Sequence, residues 1–393
     1  MVQAHLDKRK VHVVIRFEEH HQEIRQMIAD FADNEIAPKA QHIDESQETP
    51  TDAIAQLAEL GMLGLTIDEQ FGGAELDLLT ACLVVEEISR CCGSTGVVVA
   101  SHLFEGTAAI KNLADDAGRA RWLPDLASGK TMATFALAEV EAESDASGIT
   151  CSVGAEPDGF SLHGRKSWVI GGLMANLVTV VARNGEDQLQ DLGAYVVDPT
   201  SEGCTRKPLR DVLGLRGSGF CDLHLDGVQI ESNSALSGAS SGWPAISRVV
   251  EMSRLGAASV ILGVARGAIS HALQYASQRK AFGRSIDRFG SIRAMLAEAA
   301  TGVESARLLL WRAAGLYDRG KSATREGSMA NLAAKQASYR ATRDAVQVLG
   351  GNGYSREYPV ERAYRDVQTA VPFGGGEDLQ KIIVSRSLTG ARS

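Results

Sequence analysis

The chain has 393 residues, of which 44% are hydrophobic and 23% charged, with a formal net charge of −9. That length supports two or three domains and a sizeable buried core. The acidic balance argues against nucleic acid as the main partner, because phosphate binding needs a basic field, and no apolar run approaches the ~20 residues that a membrane helix requires.

Residues Met1 to Val14 carry scattered charges and no continuous apolar segment, which reads as a loose arm and not a secretory signal. From Phe17 to about Lys130 the periodicity is helical. Ile24, Met27, Ile28 and Phe31 share one face, Ile54, Leu57 and Leu60 repeat the pattern, and Gly61 ends that helix. The segment from Leu78 to Arg90 is apolar nearly all round, as befits a helix buried on several sides. The pair His20-His21 is expected on a solvated helix start, and no histidine is assigned to chemistry.

From about Thr131 to Ser240 short β-strands are expected around Phe160 to Trp168, Val178 to Val181, Tyr195 to Val197 and Leu223 to Ile230. Asp158-Gly159 and His163-Gly164 read as turns. From Trp243 onward the helical pattern returns in three long, Ala-rich segments, Val249 to Arg279, Phe289 to Arg319 and Gly327 to Leu349, joined by short loops as in an up-and-down bundle. The class is therefore α+β, with an N-terminal helical domain (1–130), a middle β-barrel or sandwich domain (131–240) and a C-terminal helical bundle (241–393). The six cysteines, Cys82, Cys91, Cys92, Cys151, Cys204 and Cys221, lack metal-ligand spacing. They read as buried reduced thiols in a cytoplasmic protein, with no metal site.

The run Arg279-Lys-Ala-Phe-Gly283 ends a long helix, where an arginine can offer its planar fork to a diphosphate and Phe282 can lie on a ring or sugar. Gly350, Gly351 and Gly353 follow the last long helix and let backbone amides approach a phosphate or nucleotide edge, while Gln347 offers both a donor and an acceptor. Singly, each fits a helix cap with surface charge. Together with Gly72-Gly73, Glu139, Ser144-Asp145, Gly164-Arg-Lys-Ser-Trp168, Gly214-Leu-Arg-Gly-Ser218, Arg254 and Arg365-Asp366, in this order and spacing, they resemble the acyl-CoA dehydrogenase family across essentially the whole chain.

That resemblance implies helical, β and four-helix-bundle domains, usually assembled as a homotetramer or homodimer, with FAD between the β-domain and the bundle. It implies that Arg279, Phe282, Gln347, Gly350 and Gly351 serve the ADP half of FAD across a subunit interface, that Trp168 covers the flavin and that Ser144 lies beside it. In the family a glutamate removes the α-proton of an acyl thioester, carried on CoA or an acyl-carrier protein, while the β-hydrogen leaves as hydride. Electrons then pass to an acceptor such as an electron-transfer flavoprotein or oxygen.

The chain departs from this pattern at the base. Phe373-Gly374-Gly375-Gly376 stands where the glutamate segment is expected, so Gly374 marks the missing base. The alternative site on the first bundle helix is Ser253, before Arg254-Leu255. Ile170 replaces a threonine near the flavin ring. Glu105 stands where the family lines its acyl pocket with an apolar residue; it is either a relocated base or a ligand for a polar acyl group, against the plainer reading of a solvated helix-start glutamate. Glu377 and Asp378 are expected to open the last helix, Glu251 to be solvated, and Arg254 to support the thioester or its enolate unless an ion pair occupies it. Desaturation with a relocated base competes with three other readings: a different thioester reaction such as β-elimination, a non-catalytic subunit completing a partner's flavin site, and flavin monooxygenase chemistry.

Overall fold

The computed structural model describes residues 17–142, 145–187, 189–236 and 242–390. Helices α1 (Glu19–Phe31), α2 (Ala40–Ser46), α3 (Thr51–Glu59), α4 (Leu78–Cys91), α5 (Gly93–Ser101), α6 (Thr107–Leu113) and α7 (Asp116–Ala127) come first. Single π turns continue α1 at Ala32–Ile36 and join α5 to α6 at His102–Gly106. On α1, Ile28 is buried, whereas Met27 is 40% exposed. The chain leaves α3 through Gly61 at φ 74, the left-handed conformation glycine adopts most easily. Helix α4 starts on Asp77, whose carboxylate accepts from Thr80 N at 2.8 Å, and is buried almost all round.

Two sequence expectations fail here. His21 is buried, not solvated: its Nδ1 accepts from Glu18 N at 2.9 Å and its Nε2 lies 2.9 Å from Asp77 Oδ2. With both ring nitrogens engaged, His21 offers no free imidazole nitrogen to the cluster it forms with His20 and Asp77. The cysteines are all free thiols, but Cys91 and Cys204 are only partly buried.

The middle region folds as β1 (Ala133–Ala136), β2 (Ser152–Glu156), β3 (Gly159–Val169), β4 (Leu177–Arg183), β5 (Leu192–Val197), β6 (Cys204–Pro208) and β7 (Cys221–Glu231). They form one connected sheet in the order β1-β4-β2-β3-β7-β6, with β5 branching off β4. The expected strands are β3, β4, β5 and β7; β1 is too short and β6 too polar to show a clear pattern. Asp158-Gly159 does sit at the β2–β3 hairpin, but His163-Gly164 is an irregularity inside β3 and not a turn. Gly164 has φ 135 there, and a Cβ on it would meet Cys151 Cα at 2.8 Å. A second irregularity, between Lys166 and Val169, takes Trp168 out of the ladder.

Helix α8 (Trp243–Gln278) is followed by a hairpin of β8 (Lys280–Ala281) and β9 (Arg284–Ser285), then α9 (Gly290–Tyr317), α10 (Thr324–Leu349), α11 (Pro359–Ala370) and α12 (Glu377–Thr389). By length and composition α8 could cross a membrane, contrary to the reading of its sequence. However, 83% of its most apolar window is buried, and it packs as a core helix against α4, α10 and α11. One apolar core unites α4 and α5 with α8, α9 and α10, and another lies under the sheet. Buried Glu86 and Glu87 of α4 join the first by ion pairs: Glu86 to Arg266 and Arg307, and Glu87 to Arg25, Arg90 and Arg266. Against the cost of burial, these cations pull Glu87 down to about 2.

The loop Gly214–Ser218 locks the β-region onto α11. Leu215 N donates to Asp366 Oδ1 at 2.6 Å, Arg365 grips Asp44 with two nitrogens at 2.9 and 2.6 Å, and a Cβ on Gly214 would meet the Arg365 backbone at 2.3 Å. These motif residues fasten the fold together.

Candidate active site

The π turn His102–Gly106, the middle of α8, the bulge in β3 and the glycine turn before α12 are linked by contacts: Glu105 to Ser253, Gly374 against Arg254, and Trp168 through Phe220 to Phe373. The π turn is positioned by close packing. Gly106 lies so near β1 that a Cβ on it would be 2.4 Å from Ala133 C, and Gly256 of α8 approaches Phe104 to a Cβ distance of 3.0 Å. Beneath the turn, buried His102 accepts from Ala133 N at 3.2 Å through Nδ1, which leaves Nε2 to donate to Leu63 O at 3.2 Å. Burial holds this ring neutral, with its pKa down to about 4.

The extra residue of the π turn aims Glu105 across at α8. Ser253 Oγ donates to Glu105 Oε1 at 2.6 Å, and Ser101 Oγ donates to Oε2 at 3.0 Å. Glu105 is therefore neither at a helix start nor a freely solvated side chain; it is a partly buried carboxyl held at both oxygens. Burial raises its pKa above the ordinary carboxylate value, and the two hydroxyl bonds pull it part of the way back. Ser101 also meets Thr134 Oγ1 at 2.9 Å, and Thr134 donates to the Ile170 carbonyl at 2.7 Å. Sequence reading missed Ser101 and Thr134. The i,i+4 spacing of Ser101 and Glu105 was a usable signal.

Arg254 follows Ser253 on α8 and is 6% exposed; its Nε has no hydrogen-bond partner, and it forms no ion pair among the described residues. Glu251, expected to be solvated, is tied instead to Tyr317 Oη at 2.9 Å and to Thr324 Oγ1. Gly374 packs on Arg254 at φ 69, and a Cβ there would lie 2.9 Å from Arg254 Cα. Glu377 and Asp378 open α12 as expected.

Trp168 has φ 56 and a 49%-exposed indole. Its ring stands 5.7 Å from Phe220, and Phe220 stands 5.6 Å from Phe373 beside the glycine turn. Behind it Lys166 and Glu139, both with wholly buried side chains, form an ion pair at 2.6 Å. Ser144 lies outside the described residues.

Arg279, Phe282, Gln347, Gly350 and Gly351 form a separate group. All five are exposed, Phe282 at 96%. Tyr275 Oη accepts from Asn352 Nδ2 at 2.9 Å, which brings the ends of α8 and α10 together at one end of the bundle. Nothing lies within 4 Å of a Cβ built on Gly350 or Gly351, so the backbone there is open to approach. The 25 residues from Arg254 to Arg279 span roughly 37 Å of helix at ~1.5 Å per residue. The two groups therefore cannot enclose one small ligand within a single chain.

Comparison with known proteins identifies all three regions. Residues 18–130, 134–228 and 240–389 match the N-terminal, middle and C-terminal domain families of acyl-CoA dehydrogenase. The chain is 34% identical over 368 residues to an acyl-CoA dehydrogenase of Bacillus subtilis (strain 168), covering 93% of this chain and 97% of that protein. It is 33% identical over 386 residues to the mitochondrial short-chain specific acyl-CoA dehydrogenase of Rattus norvegicus, covering 97% and 94%. The solved butyryl-CoA dehydrogenase from Megasphaera elsdenii superposes with a TM-score of 0.91 at 27% identity, over 95% of this chain and 99% of that one.

Proposed function

The chain belongs to the acyl-CoA dehydrogenase family, and on that premise we propose that it is an FAD-dependent oxidoreductase of acyl thioesters in which Glu105 is the proton acceptor. The observation that supports this reading is the Glu105 carboxyl of the π turn, hydrogen-bonded by Ser101 and by Ser253 of α8, the residue that stands at the alternative base position of the family pattern. Gly374, where the family's glutamate is expected, has a backbone conformation and a neighbour that leave no room for a side chain.

Several features fit a flavin. The Trp168 indole is set out from its strand by a positive φ and backed by Phe220. The exposed Arg279, Phe282 and Gln347, with the open backbone of Gly350 and Gly351, suit the ADP half of a flavin held by a neighbouring subunit. The distance along α8 supports a dimer or tetramer in which one chain completes its neighbour's site.

When bound, FAD supplies the acceptor for the β-hydrogen, which leaves as hydride. The chain's own residues do the rest. Ionised Glu105 takes the α-proton onto a carboxylate oxygen, and the Ser253 and Ser101 hydroxyls fix its direction. The product is the α,β-unsaturated thioester. Buried Arg254 places positive charge next to Ser253, where it can stabilise enolate-like charge. The thioester is carried on CoA or a carrier protein, and the electrons go on to an electron-transfer flavoprotein or oxygen in the cytoplasm.

The test is to load purified protein with FAD and add short acyl-CoA thioesters. Bleaching of the flavin spectrum that disappears in Glu105→Gln supports the assignment. Full bleaching by Glu105→Gln removes Glu105 as the base, and a protein that never holds flavin overturns the reading as a whole.

A further inference from the structure

The hydroxyls around Glu105 have one hydrogen too few for the contacts they make. Ser253 Oγ lies 2.6 Å from Glu105 Oε1, and Ser101 Oγ lies 3.0 Å from Glu105 Oε2. Ser101 Oγ is also 2.9 Å from Thr134 Oγ1, which is 2.7 Å from the Ile170 carbonyl oxygen. These are four short contacts among three hydroxyls, a carboxyl and a carbonyl. Each hydroxyl carries one hydrogen, and an ionised carboxylate carries none.

With Glu105 ionised, Ser253 and Ser101 donate to it, and Thr134 has a single hydrogen for two neighbours. If Thr134 donates to Ile170 O, its oxygen faces Ser101 Oγ at 2.9 Å with no hydrogen between them. If it turns to Ser101 instead, the carbonyl loses its nearest donor. Among the described residues no backbone N–H donates to that carbonyl, and Ser101 stands further from it, at 3.3 Å. Ser101 is 3% exposed and Thr134 1%, so bulk solvent does not reach the gap. With Glu105 protonated on Oε2, every contact is made. Oε2–H donates to Ser101, Ser101 to Thr134, and Thr134 to Ile170 O, while Ser253 still donates to Oε1.

No ion pair does this work instead. Of the elements packed on the π turn, α5 and β1 carry no charged residue. On α6, Lys111 is held by Asp68 at 2.8 Å, and on β4, Arg183 donates to the Ser147 and Ile149 carbonyls. Within the turn, His102 is occupied by Leu63 O and Ala133 N. On α8 the charged residues nearest Ser253 in sequence are Arg248, which is exposed, Glu251, bound to Tyr317 and Thr324, and Arg254. None of these charges contributes to the shift of Glu105, which comes from burial upward and from the Ser253 and Ser101 hydroxyls downward.

We propose that Thr134 is a positioning residue: acting through Ser101, it completes a hydroxyl chain that closes only when Glu105 holds a proton, and so it keeps the α-proton on Glu105 once taken. The proposal rests on Glu105 as the proton acceptor. In that step the Cα–H bond breaks with its electron pair left on the thioester, and one O–H bond forms at Glu105. The Ser101 and Thr134 hydrogens only turn about their C–O bonds.

The experiment follows the carboxyl of the FAD-loaded enzyme, without thioester, by infrared difference spectroscopy across pH, with the band assigned by its loss in Glu105→Gln. Thr134→Val keeps the shape and removes the hydroxyl; it should lower the pH at which that carboxyl titrates by about one unit. Thr134→Ala, as a second variant, should do the same, and Thr134→Ser should titrate as the parent does. In a Ser101→Ala background Thr134→Val should add no further shift. An unmoved titration in both variants that lack the hydroxyl, or an equal shift in the Ser101→Ala background, would overturn the chain. With thioester added, the acid limb of kcat should move in the same direction and by the same amount. A carboxyl that shifts while that limb stays put would overturn Glu105 as the acceptor, and the catalytic role of Thr134 with it.

Discussion

Glu105 shows how much one carboxyl depends on its hydroxyl partners. Its pKa is raised by burial and lowered by Ser253 and Ser101. A base works ionised, so turnover should rise with pH through that raised pKa. Ser253→Ala removes one of the two bonds to the charged form; its acid limb should therefore move to higher pH, as a pH profile of kcat under saturating thioester will show. Glu105→Gln should lower kcat by about 100- to 10,000-fold while leaving the bound flavin in place. Gly374 points the opposite way. Because φ is 69 and a Cβ would press on Arg254 Cα, Gly374→Glu should cost about 1–3 kcal/mol of stability, read as a lowered unfolding midpoint, and should not create an ordinary dehydrogenase.

Among the elements, the π turn between α5 and α6 and the bulge in β3 do most to shape the candidate site. Each carries one residue more than a regular element would, and each re-aims a side chain, Glu105 in one case and Trp168 in the other. The π turn survives because Gly106 lets β1 come close. Gly106→Ala should force the two apart at a cost of about 1–3 kcal/mol, with activity falling further than stability because Glu105 moves away from Ser253. Thermal unfolding and kcat measured on the same sample will separate the two effects. Helical periodicity located α1, α3, α4 and the three long C-terminal helices, since their apolar faces recur at helical spacing. It could not locate the π turn, because the chain from Gly93 to Ile110 is buried nearly all round and presents no one-sided apolar face whose phase an extra residue would shift.

For the whole molecule, the length of α8 separates the Glu105–Ser253 group from the exposed group at Arg279, and the proposed function needs a second chain to bring such groups together. Arg279→Ala should therefore lower FAD occupancy, measured as the flavin-to-protein absorbance ratio, without changing the fold seen by circular dichroism. Unchanged occupancy would take Arg279 out of the cofactor site.

The order helix, strand, helix was legible from periodicity, and the ordered motifs from Gly72-Gly73 to Arg365-Asp366 carried the family, because glycine and charge spacing persists along a chain without reference to contacts. The use of those motifs was not legible. Arg365-Asp366 and Gly214–Ser218 turned out to hold each other, His21 was buried against Asp77, and Lys335 lay hidden in a polar-looking helix until α12 and α8 closed over it. Periodicity records which face of an element is apolar, whereas the partner of each buried charge is set by residues distant in sequence. For that reason sequence could name Glu105, Ser253 and Gly374 as the places to look, and only the packed structure could join the first two and close off the third.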